Sequence, residues 1–171
     1  TGTVSTMNGG SQVISGGGTG TVSTMSGGLQ NVSSGGAVTL GVMNGGYQTL
    51  AGGTGTISTM SSGTQTVSSG GTGIIGTFIN GRQNVTEGSG TISTMSGGTQ
   101  NIYSGATGTV SAMRYGGIQN VRNGGTGTIS TMSAGSQGID SGATGVVSTM
   151  SGGLQYIRNG ATGVVSAMSG G

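Results

Sequence analysis

Large apolar residues return along this chain at fixed intervals. Met7, Met25, Met43, Met60, Met95, Met113, Met132, Met150 and Met168 form one series, and Phe78 fills the one remaining place in it. Three residues before each stands an aliphatic, from Val4, Val22 and Leu40 to Val165. A second aliphatic series runs from Ile14, Val32 and Leu50 to Ile157, always two residues after a Gln that itself recurs from Gln12 to Gln155. The residue between that Gln and the aliphatic is free to be Val, Asn, Thr, Gly or Tyr. Fixed positions alternating with free ones have period two, which predicts a strand with one buried face.

The pattern divides the chain at residues 1, 19, 37, 54, 72, 89, 107, 126, 144 and 162, giving nine full units of 17 to 19 residues and a final half unit. Each unit predicts two strands, a longer TGTVSTM and a shorter one around Gln, separated by Gly pairs that supply positive φ at the corners. A single unit cannot bury its own apolar face. Stacked units pair their strands in parallel and join the columns into one core. The expected fold class is therefore all-β: a right-handed parallel β-helix, or solenoid, of about nine and a half coils, about 45 Å long. The expected hand follows the rule for parallel crossovers.

Two columns carry alternatives. Core packing is the simplest reading of the Met column, since Phe78 replaces volume and not sulfur chemistry. Strand parity allows another, because Val4 and Thr6 share a face and Met7 falls on the opposite one unless the chain bends. The Gln column reads as a stacked amide ladder, each side chain donating to and accepting from its copies, or else as a row that binds sugar. Charge adds one local feature. Tyr103, Arg122, Asp140 and Arg158 each lie three residues after the Gln of consecutive units, so in register Asp140 sits between two Arg.

Composition narrows the function. The chain has 44 Gly, no Pro, no Cys and no His, and its net charge of +2 comes from four Arg against Glu87 and Asp140. Collagen needs a strict three-residue period with Pro, and a flexible Gly/Ser linker has no reason to space its apolar residues. Four scattered Arg do not make a nucleic-acid surface. No apolar run reaches the ~18 residues of a membrane helix, so no membrane insertion of this segment is expected. No thiolate or imidazole is present to bind metal or act as nucleophile or base, and the Ser residues lack an activating partner. Glu87 and Asp140 lie three units apart, roughly 14 Å along the rod, too far for a paired-carboxylate site. Neither catalysis nor a cofactor is expected. Asn31-Val-Ser33 and Asn84-Val-Thr86 match an N-glycosylation triplet as chance products of the repeat.

The core of the unit, GGxQx[VIL]xSGG, stands at Gly27 to Gly36 and, with one change at its end, from Gly97 through Gly105. It resembles the passenger repeats of AIDA-type and TibA-type self-associating autotransporter adhesins, and the likeness covers the whole chain. The resemblance implies that residues 1–171 are a single repeat solenoid, a fragment of a longer passenger domain exported through the outer membrane and displayed on a bacterial cell. It implies adhesion to host cells, autoaggregation with like passengers and biofilm formation. It further implies O-heptosylation of Ser and Thr by a dedicated glycosyltransferase.

The acceptors are expected two residues before the Met column, at Ser5, Ser23, Ser58, Ser93, Ser111, Ser130, Ser148 and Ser166, on the face opposite the buried aliphatic. Two other classes stay open. Thr-Gly-Thr recurs at residues 1 to 3, 19 to 21, 54 to 56, 107 to 109 and 126 to 128, resembling the Thr ladders of ice-binding solenoids, although Ala37, Ile74, Ser89, Val146 and Val164 interrupt the array. The rod could also serve purely as a structural spacer.

Overall fold

The computed structural model describes residues 1–170 and is built from nineteen strands joined by short turns, with no helix among the described residues. The long strands, Gly2–Met7, Thr19–Met25 and their successors to Thr162–Met168, form a ten-stranded sheet. The short strands, Ser11–Ile14 and Leu29–Ser33 through Leu154–Ile157, form a nine-stranded one. Every pairing between these strands is parallel and joins a residue to its equivalent one coil away: Met25 lies between Met7 and Met43, and Gln100 between Gln83 and Gln119. The protein is a β-solenoid whose coil is the sequence repeat.

Inside the long sheet, except at the ends of the stack, where Val4 and Val165 are partly buried and Met168 is exposed, both the aliphatic and the Met columns are buried. Their three-residue spacing is odd, which a straight strand cannot accommodate. The chain bends between them. In Thr19–Met25 the side chains of Val22 and Met25 are buried while Ser23 is exposed, and the ladder passes from the pair Val4 and Val22 to the pair Thr6 and Thr24, leaving Ser5 and Ser23 without a ladder partner. The bend resolves the parity conflict in favour of core packing, and Phe78 lies at 0% exposure in the same column as the Met side chains. Each fully buried side chain of this size contributes roughly 1.5–3 kcal/mol of hydrophobic stabilisation.

The second aliphatic column forms a separate cluster, joined by Val38, Ala106 and Ala143. Beside it runs the Gln ladder, fully buried from Gln30 to Gln137. Each Nε2 donates to the Oε1 of the preceding coil at 2.6 to 2.8 Å, from Gln30 onto Gln12 through to Gln155 onto Gln137. Further N–H donations reach backbone carbonyls of the long strands, as from Gln100 to Gly90 at 3.1 Å and Gln137 to Gly127 at 3.2 Å. These bonds offset the cost of removing the polar amides from water.

The ladder also explains the glycine of Thr-Gly-Thr. Gly55 faces inward, and a Cβ there would stand 2.7 Å from Leu50 Cδ2 and 2.8 Å from Gln48 Oε1. Only a residue without a side chain fits above that amide and that leucine. Val38 is the one exception in the column, and nothing in the structure explains why a larger residue is accepted there.

Candidate functional site

With the core filled by Val, Ile, Leu, Met, Phe and Gln, function falls to the outer faces. On the long sheet these present four rows. Two flank the inward glycine and are mostly Thr, the third is the Ser row at the bend, and the fourth is the residue just before each Met. Thr, Ser, Ala, Gly, Val and Ile are the only residue types in them, and none of the six formal charges of the chain lies on this face. It is a long uncharged surface dense in hydroxyls.

All eight of Ser5, Ser23, Ser58, Ser93, Ser111, Ser130, Ser148 and Ser166 are exposed along the bend. Ser93 to Ser166 occupy five successive coils. Gly41 and Gly76 interrupt the row, which leaves Ser58 isolated and Ser5 and Ser23 as a separate pair. The Thr rows beside them are interrupted at Ala37, Ile74, Ser89, Val146 and Val164.

On the opposite side, the charged column forms as its spacing predicts. Arg158 donates from Nη1 to Asp140 Oδ1 at 2.7 Å, Arg122 Nε lies 3.9 Å from Asp140 Oδ2, and the Arg122 guanidinium sits 5.6 Å from the centre of the Tyr103 ring. Next to it, the free position of the short strands carries a brief amide ladder, with Asn120 donating to Asn101 and Asn101 to Asn84. That bond occupies the Asn84 carbonyl oxygen within the row. The Gln column, by contrast, is interior. A sugar cannot reach it, so that column is a structural ladder and not a sugar-binding row.

On this side the Gln register brings together residues from three different units. The residue before each Gln forms an outward column, and Tyr47, Thr64 and Arg82 succeed one another in it across three coils. They border a groove of about 470 Å³. Aligning units on their Gln places Tyr47 and Arg82 two coils apart on one face; read one unit at a time, they are unrelated residues.

The described residues bring together no group of three or more His, Cys, Asp or Glu, and no helix among them is long and apolar enough to cross a membrane. Fold and surface together define a class: a parallel β-solenoid with an apolar, amide-laddered interior and a hydroxyl-rich uncharged flank. No family model matches the chain, and neither a curated protein nor a solved structure matches it.

Proposed function

We propose that this chain is a rod segment of a bacterial cell-surface adhesin of the autotransporter class, glycosylated on its Ser row and adhering through its long flank to like passengers and to host cells. The reading is supported above all by the exposed Ser row, eight hydroxyls in a ten-place column along one edge of an uncharged face, five of them on successive coils. A modifying glycosyltransferase reaches such a row without unfolding the rod, because the ladder hydrogen bonds of the sheet do not involve those side chains. The interrupted Thr rows make a regular ice-matching lattice the weaker reading, and a pure spacer would have no use for an edge of repeated acceptors.

The test is intact mass after expression beside a heptosyltransferase. Heptose-sized increments are expected, and replacing Ser93, Ser111 and Ser130 with Ala should remove up to three of them while the β circular-dichroism signal stays unchanged. Retention of every increment on peptides covering those positions would overturn the assignment.

A further inference from the structure

The groove beside Tyr47 crosses three successive corners, each with a glycine in the left-handed region. Gly46, Gly63 and Gly81 have φ of 84°, 98° and 109°, a region that side chains rarely adopt, and a Cβ on Gly63 would stand 2.8 Å from the buried Met43 Cε and 2.9 Å from the Gly46 carbonyl oxygen. Around these glycines stand Tyr47, Ser62, Thr64, Asn80 and Arg82. Tyr47 is 59% exposed, and the register sets it and Arg82 on either side of Thr64, about 9.6 Å apart, twice the coil rise. Asn80 is anchored by its Oδ1, which accepts from the Gly81 N–H at 2.8 Å, so its amide N–H donors remain for a ligand. Arg82 stands in no ion pair among the described residues, whereas Arg122 and Arg158 share Asp140.

We propose that this groove binds an acidic saccharide. The Tyr47 ring stacks on the apolar face of a pyranose, the Arg82 guanidinium takes the sugar carboxylate through paired N–H donors, and Asn80 and Thr64 bond ring hydroxyls. A free phosphate would leave the aromatic platform unused. A purely apolar ligand would strip water from Arg82 and Asn80 without replacing its hydrogen bonds. A hydroxylated ring with one carboxylate answers every group around the groove. The site gives the adhesive reading a ligand class, but it stands on the groove alone and needs neither glycosylation nor self-association.

The experiment titrates the ¹⁵N-labelled chain with oligogalacturonate and, separately, with a neutral oligosaccharide of equal length. The acidic sugar should shift resonances at Tyr47, Thr64 and residues 80 to 82, with an affinity that falls as salt rises. Arg82→Gln and Tyr47→Ala should each weaken binding by about tenfold or more, while Tyr115→Ala, an exposed tyrosine outside the groove, should leave it unchanged. Equal affinity for the neutral sugar, shifts located elsewhere, or binding that survives both groove substitutions would overturn the proposal. Should a variant lose its β circular-dichroism signal, the map of shifts on the unsubstituted chain decides. Acidic-sugar binding by a chain that gains no heptose and does not self-associate would uphold this site and remove the reading of the Ser-lined flank; the converse would do the opposite.

Discussion

Gln100 donates to Gln83 Oε1 at 2.7 Å and to the Gly90 carbonyl at 3.1 Å, and its own Oε1 accepts from Gln119 at 2.7 Å. Each of these groups is buried, so breaking the chain of amides leaves partners with no water to turn to. Gln100→Leu orphans two ladder groups, the Gln83 oxygen and one Gln119 N–H, at about 1–3 kcal/mol for each, and also removes the donor to the Gly90 carbonyl. Replacing Gln83 and Gln100 together orphans two ladder groups again, now on Gln65 and Gln119, and adds only the loss of the long 3.4 Å bond to the Gly73 carbonyl. The double variant should therefore cost about as much as the single one, and denaturant melts of the three proteins would show it. A double variant losing twice the stability would mean that each amide contributes through packing and not through the ladder. The Gln rows are legible in sequence as a ladder, but their burial is what makes that outcome non-additive.

At the scale of the element, the column of Tyr103, Arg122, Asp140 and Arg158 shows how little an exposed ion pair supplies. The Arg158 side chain is 75% exposed despite its 2.7 Å contact, so solvent and salt screen it. Arg158→Ala should lower stability by no more than about 1 kcal/mol, with the difference shrinking as salt is added. A larger, salt-insensitive loss would show that the arginine stem packs on the coil below. The strands themselves rely on the two apolar clusters, and the bend at the Ser row allows one strand to feed two inward columns.

The whole molecule is a stack in which each coil touches mainly its neighbours, so surface properties repeat along its length. Its long-sheet face repeats hydroxyls at every coil and carries no charge. Two rods side by side can make many weak hydrogen bonds in register, and multiplicity substitutes for individual strength. Association through this face should persist in 1 M salt, where screening acts over about 3 Å. Thr107→Glu with Thr126→Glu, both exposed on the face, should abolish it by setting like charges against each other. Sedimentation velocity at low and high salt decides: dissociation of the unsubstituted rod by salt, or dimers that ignore the two glutamates, would exclude this face.

Sequence by itself determined the coil, its two strands, the membership of each column and the Asp140 ion pair, because a repeated unit poses the same structural problem nine times and period-two burial is visible in each. Tertiary structure alone decided what depends on groups across the interior or more than one coil away. Met25 turns inward because the chain bends at Ser23, a choice that strand parity left open. Gly55 is glycine because Gln48 and Leu50 lie beneath it. Tyr47 and Arg82 border one groove because 35 residues of chain, wound into two coils, bring them onto the same face across three glycine corners.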